Sequence, residues 1–154
     1  MPEFFNCSNN EIKIDGRSQK KGPEPETVTV GNINGRAYAF IALERIGGIM
    51  IYDITEPASA QFVNYVNSRD FSADISGDVS PEGLYFAAAD DGKNPMLLAA
   101  NEVSGTVAVY ELSAAENVGE NTDTDIPNTG VGLAVAPAIT AAAAALTAVL
   151  KKRR

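Results

Sequence analysis

Two Pro-Glu pairs, Pro23-Glu24 and Pro81-Glu82, are the residues of this chain best placed to do chemistry. Each puts a carboxylate directly after a residue that fixes the backbone, in a loop leading into a strand. Asp74, Asp78, Asp90 and Asp91 stand in neighbouring loops. Hard oxygen donors of this kind suit Ca²⁺, which takes about 6–8 of them. Ca²⁺ is therefore the cofactor the donors would take, with Glu24, Glu82, Asp74 and Asp78 as the metal ligands. The same pairs also read as turns whose solvated carboxylates cap loop amides, and the sequence leaves both readings open. Glu44 and Glu102, at equivalent turns, read as acceptors for loop N–H groups rather than as catalysts. Asp74 and Asp78 are four apart but lack the rest of an EF-hand loop.

Composition narrows the chemistry further. The 154 residues contain no His, which removes the commonest general base and the commonest imidazole ligand. Cys7 is the only cysteine, so neither an internal disulfide nor a Cys-based zinc site can form. No Gly-rich phosphate loop and no Ser–His pair occurs, and no catalytic residue is assigned. The formal charge is −8, and the only charges beyond Val131 are the positive Lys151, Lys152, Arg153 and Arg154, so the preceding part carries −12. Such an acidic domain does not hold nucleic acid by neutralising phosphates.

The elements that must position these carboxylates are short strands in a repeat. Displaced by 58 residues, the sequence aligns with itself without a gap: Pro23-Glu24 with Pro81-Glu82, Ala42 with Ala100, Glu44 with Glu102, Gly47 with Gly105, Tyr52 with Tyr110. Phe40 with Leu98, Ile49 with Val107, Ile51 with Val109, Asp53 with Glu111 and Ile54 with Leu112 are conservative pairs between them. The first unit reads as strands at Thr27–Ile33, Arg36–Leu43, Gly47–Ile54 and Gln61–Val66, with Asn34-Gly35 as a hairpin turn. The second reads as Leu84–Ala88, Met96–Ala100 and Thr106–Leu112, with a turn at Asp90-Asp91-Gly92-Lys93 and no fourth strand. The predicted fold is all-β. Four short antiparallel strands per unit, with sheets face to face, describe β-propeller blades. About two are present, and propellers need about four to eight to close. The chain is thus expected to be the C-terminal fragment of a larger propeller, folding poorly alone, with Glu24 and Glu82 facing one central channel. Met1 to Cys7 lacks the basic start and apolar core of an export signal, which points to the same missing N-terminal portion.

Chemistry of a second kind is written at the end of the chain. Ile126-Pro127-Asn128-Thr129-Gly130 precedes an uncharged, mostly apolar run from Val131 to Leu150 and then four basic residues. The three parts in this order resemble the cell-wall sorting signal of Gram-positive surface proteins, whose pattern is Leu-Pro-any-Thr-Gly; Ile126 replaces the Leu. The run spans about 30 Å as a helix, the thickness of a hydrocarbon core. It is predicted to be one C-terminal transmembrane helix, in transient contact with the membrane, its basic end on the cytoplasmic side. Pro137 would kink it. The resemblance implies recognition of Ile126, Pro127, Asn128, Thr129 and Gly130 by a sortase. Cleavage would fall between Thr129 and Gly130, and the Thr129 carboxyl would join an amine of the peptidoglycan precursor. An ordinary membrane helix preceded by a chance Pro-Asn-Thr-Gly is the plainer alternative.

Three further stretches carry a family resemblance: Gly22 through Ile54, Asn64-Tyr65-Val66-Asn67-Ser68-Arg69-Asp70-Phe71, and Asn101 through Tyr110. Together they resemble the C-terminal end of the choice-of-anchor I family of bacterial surface proteins. That family looks like seven-bladed propellers of the quinoprotein or YVTN-repeat sort, ending in interchangeable anchors. The expected organisation is a propeller fragment over 1–112, an acidic spacer over 113–125 and the sorting signal over 126–154. The expected function is that of an exported, cell-wall-anchored binding or structural module; a polysaccharide, a host protein and a small metabolite all remain open as its surface ligand. The alternative is a metal-dependent phosphoesterase of the alkaline-phosphatase-like kind, or a lactonase-like hydrolase, with its site in the propeller channel.

Overall fold

The computed structural model of the protein describes residues 4–114 and 133–137. Strands β1 (Pro25–Ile33), β2 (Arg36–Leu43), β3 (Ile49–Asp53) and β4 (Gln61–Val66) form one antiparallel sheet in sequence order. A second sheet repeats that order with β5 (Pro81–Ala87), β6 (Met96–Asn101), β7 (Thr106–Ala114) and β8 (Leu133–Pro137). Pro57–Ser59 makes one 3-10 turn, and no α-helix occurs among the described residues. The all-β expectation is met, with strand boundaries within a few residues of those read from the sequence. Asn34 and Gly35 both take positive φ, 52° and 79°. A two-residue hairpin turn of the primed type requires this, and it matches the twist of the strands it joins.

Equivalent backbone hydrogen bonds recur in the two units. Glu44 N donates to Glu24 O and Glu102 N to Ser80 O, both at 2.8 Å. Ile54 N donates to Ala37 O at 2.8 Å and Leu112 N to Pro95 O at 2.9 Å. From β2 onward the displacement is the 58 residues read from the sequence. Before it, the displacement is 56, because Pro25 opposes Leu43 while Pro81 opposes Asn101. The cause is the hairpin loop: Asn34-Gly35 in the first unit has two residues fewer than Asp90-Asp91-Gly92-Lys93 in the second. The structural counterpart of Pro81-Glu82 is therefore Pro25-Glu26, not Pro23-Glu24.

The sheets pack face to face. Ile33, Tyr38, Phe40, Ile49 and Ile51 of the first meet Leu97, Ala99, Tyr110 and Leu112 of the second in one buried cluster. Phe40 stacks on Phe86 with centroids 5.9 Å apart. Gly31 allows this approach, since a Cβ there would run into the Phe86 ring. Ser68 and Tyr110 join the sheets through hydroxyls 2.7 Å apart. The segment from Phe4 to Gly22 contains no strand and lies on the first sheet's other face. There Cys7 is buried beside Leu43 and Ile46, and Phe4 stacks on Phe71 at 4.1 Å.

Two expectations about the end of the chain change. β7 runs to Ala114, into the stretch read as spacer. Leu133–Pro137, inside the stretch read as a membrane helix, is extended and pairs with β7 from Tyr110 to Ala114. It supplies the fourth strand that the second unit was read as lacking. The physical reason is the free edge of β7, whose unpaired N–H and C=O groups take up an extended apolar segment. Pro137 ends the pairing, having no N–H to continue a ladder. No helix among the described residues is long and apolar enough to cross a membrane. The remaining spacer, the motif Ile126–Gly130 and the rest of the apolar run and basic tail lie outside the described residues.

Candidate functional site

At the end of the sheets where β1 and β5 begin, carboxylates from both units come together. Glu24 precedes Pro25, and Ser80 precedes Pro81; each takes a positive φ, 54° and 68°. A residue before proline is pushed away from the right-handed helical region, and left-handed backbone costs a non-glycine residue about 1–3 kcal/mol. The backbone bonds from Glu44 N and Glu102 N hold these two corners in place. The strained corner turns the Glu24 carboxylate inward against the β2–β3 turn, where Arg45 Nε and Lys21 Nζ both bind it.

Glu44 lies behind this pair and is buried. Its Oε1 accepts from Asn9 Nδ2 at 2.9 Å, lies 3.2 Å from Arg45 Nη1 and receives the Ser80 hydroxyl at 3.4 Å. Asn9 also donates to Ser80 Oγ at 3.2 Å and accepts from Arg45 at 3.1 Å. Burial opposes the charge on Glu24, but hydrogen bonds from Lys21, Arg45 and Glu44 outweigh it and hold the carboxyl at about 2. Glu44 moves the other way: burial, then its shared hydrogen bond with Glu24, raises it above the ordinary carboxylate value. The two neighbouring carboxyls are thus pushed in opposite directions, Glu24 down and Glu44 up. Outside this pair, Glu82 is raised by its hydrogen bond to Glu102, then by partial desolvation and by the charges of Glu102 and Glu26.

Beside this group stands a second hub that the sequence did not reveal. Arg69 is buried, and burial lowers its pKa. Its Nη1 donates to Ser8 O at 2.8 Å and to Arg45 O at 3.1 Å, its Nη2 to Asp74 O at 2.9 Å. The guanidinium lies 4.9 Å from the centre of the Phe71 ring and 3.7 Å from the Cys7 sulfur. Tyr65 donates to Gly47 O at 2.7 Å, and burial pushes its phenol up to about 12. Nothing in a Ser-Arg-Asp run marks such a residue, because three carbonyl acceptors have no sequence signature.

The four carboxylates read as metal ligands do not form one set. Asp74 Oδ1 accepts from Ile12 N at 2.9 Å, and Asp78 Oδ1 from the Thr106 hydroxyl at 2.6 Å. Glu82 is exposed on the second unit, near enough to Glu44 to raise it electrostatically. Among the described residues, the three carboxylates whose oxygens lie within 4.8 Å of one another are Glu24, Glu26 and Glu44. Glu26 was missed because the alignment chose the first of two adjacent Pro-Glu pairs. A cation at this triad would have to displace both Lys21 and Arg45 from Glu24. Glu24 and Glu44 are satisfied from within the chain, and their chemistry is that of a polar junction between the N-terminal segment and both sheets.

An all-β, two-unit repeat with a charged junction at one end is thus the class the fold and site define. Residues 1–57 match the family model for the choice-of-anchor I domain. No curated protein and no solved structure matches the chain.

Proposed function

We propose that this chain is a cell-surface module of a bacterium, a β-propeller-type binding or structural unit joined to peptidoglycan by a sortase through Thr129. The observation that carries the reading is the agreement of two separate parts of the sequence. Residues 1–57 match a domain family associated with bacterial surface proteins. Residues 126–154 independently supply a pentapeptide that resembles a sorting motif, an apolar run and a basic end. The two four-stranded units, repeating in register and packing face to face, support successive propeller blades. The saturated Glu24–Glu44–Arg45 junction supports a binding or structural role over a hydrolase, because its carboxylates already hold Lys21, Arg45 and Asn9. Cutting the Thr129–Gly130 bond releases residues 130–154, β8 among them, and leaves the second sheet with β5, β6 and β7.

The test is fractionation in a Gram-positive host that supplies the secretion signal. The unaltered chain is expected in the wall fraction, resistant to extraction with hot detergent. The Thr129→Ala variant is expected in membrane and medium. Equal wall retention of both would remove the sortase reading.

A further inference from the structure

We infer that Leu133–Pro137 is a strand-or-span switch. It pairs with β7 as β8 while the chain is off the membrane, and it leaves the sheet when residues 131–150 enter a bilayer. The inference rests on the proposed reading of residues 126–154 as a sorting signal, and deepens it by giving the apolar run two mutually exclusive states.

The two states exclude each other on length alone. A helical span needs about 20 apolar residues to cross about 30 Å of hydrocarbon. Residues 131–150 supply that length, with no charge before Lys151. With β8 in the sheet, the apolar remainder is 138–150, 13 residues, which as a helix reaches about 20 Å and falls roughly 10 Å short. Nor can β8 enter a bilayer while it is held. Its backbone pairs with β7 from Tyr110 to Ala114 and comes within 8 Å of β4 in the first sheet, so it is fixed to the body of the protein.

β8 is also the strand this sheet can most readily lose. Residues 88–95 and 102–105 join β5 to β6 and β6 to β7, whereas residues 115–132 separate β7 from β8. A longer connection costs more entropy to close, and an edge strand of five residues with one partner in its sheet opens without disturbing the rest. The pairing uses a definite set of donors on β7. Leu112 N donates to Pro95 O at 2.9 Å, toward β6. N–H groups alternate in direction along a strand, so those of Glu111 and Ser113 point toward β8, where Ala136 and Ala134 stand opposite. In water, unpairing would bare the apolar run to solvent. In a bilayer a helix satisfies its own backbone and buries its apolar side chains, so the membrane supplies the force that draws β8 off β7. The second sheet then keeps β5, β6 and β7, the same three strands that remain once the Thr129–Gly130 bond is cut. The membrane-held precursor and the anchored product therefore share one sheet, and the four-stranded sheet belongs to the chain off the membrane.

Flotation of the full chain with phosphatidylcholine vesicles tests this without a sortase. A lipid of no net charge keeps the basic residues Lys151 to Arg154 from binding the surface by themselves. Ser113→Cys combined with Ala134→Cys places thiols on directly opposed residues of β7 and β8. Cα atoms of such a pair lie about 5.5 Å apart, within the range of a disulfide. Cys7, the only native cysteine, is buried and stays out of the reaction. Oxidised, the double variant is locked in the paired state, and its vesicle-bound fraction should be at least about 10-fold below that of the same protein after reduction. Ser113→Pro removes a donor facing β8 and none facing β6, and should raise the bound fraction about fivefold over the parent at limiting lipid. Ser113→Ala keeps the donor and should match the parent. Should Ser113→Pro unfold the sheet, the locked and reduced forms of one protein still decide. Equal binding of those two forms, no binding by the reduced form, or failure of the disulfide to form would each overturn the inference. So would a folded Ser113→Pro variant that binds no better than the parent. Wall retention of Thr129→Ala, by contrast, would remove the sortase reading and leave these vesicle results as they are.

Discussion

Replacing Arg69 by Met should release the N-terminal segment from both the β2–β3 turn and the loop after β4. The guanidinium serves three carbonyls, Ser8 O, Arg45 O and Asp74 O, at 2.8–3.1 Å. A Met of similar reach keeps the contact with Phe71 but donates to none of them. Each buried acceptor left without a donor costs about 1 kcal/mol at the low end, so the three together cost about 3 kcal/mol. Small domains have total stabilities of about 5–15 kcal/mol, which makes this a large fraction. With a urea slope of about 1–2 kcal/mol per M, the unfolding midpoint should fall by about 1.5–3 M. Arg69→Lys keeps the charge, but a single ammonium lacks the fork that reaches three segments, so it should recover about one bond's worth. Limited proteolysis should then cut Arg69→Met first between Asn9 and Gly22, where Ser8 no longer holds the segment down. A midpoint shift worth less than about 0.5 kcal/mol, or full rescue by Lys, would refute this assignment of Arg69.

Glu24 and Glu44 should give opposite pH signatures in thermal unfolding. Glu24 is held below its ordinary value of 4.5, at about 2, so its stabilisation is present above pH 4.5 and lost as pH falls toward 2. The deficit of Glu24→Gln should therefore be largest at neutral pH and vanish in acid. Glu44 is raised, so its stabilisation is present below 4.5 and lost as pH rises through its raised value; Glu44→Gln should gain on the parent as pH rises. Parallel profiles for the two variants would contradict the opposite shifts of the two carboxyls. Cys7 is fully buried and its thiol is raised by burial, so a disulfide reagent should modify it only after urea unfolding. Prompt native labelling would show that the N-terminal segment does not hold Cys7 against Leu43 and Ile46. Gly31→Val should cost about 1–3 kcal/mol by driving a side chain into Phe86, read as a lowered melting temperature; an unchanged one would show that the sheets sit farther apart.

Much of the fold was legible because strand signals are local. The Asn34-Gly35 turn and the apolar runs on either side placed β1 and β2 without help from tertiary structure. The repeat was legible from β2 onward, where Glu44, Gly47 and Tyr52 recur at constant spacing. It failed before β2 because an ungapped comparison cannot absorb the two extra residues of the second hairpin loop. That phase error put Glu24 where Glu26 belongs and hid the third member of the carboxylate triad. β8 was illegible for a different reason. Leu133-Ala134-Val135-Ala136 is as apolar as a membrane span, and only the free edge of β7, a tertiary feature, makes it a strand. Asn9 and Arg69, the two residues that knit the N-terminal segment to the sheets, carry no motif at all.

The central claim, covalent attachment through Thr129, is tested most directly by mass spectrometry of the protein released from cell walls by a muramidase. The account predicts a C-terminal proteolytic peptide that ends at Thr129 and carries the mass of a peptidoglycan stem peptide, with Gly130 to Arg154 absent. A released or membrane-bound protein whose last peptide runs unmodified through Gly130 into the apolar segment would contradict it.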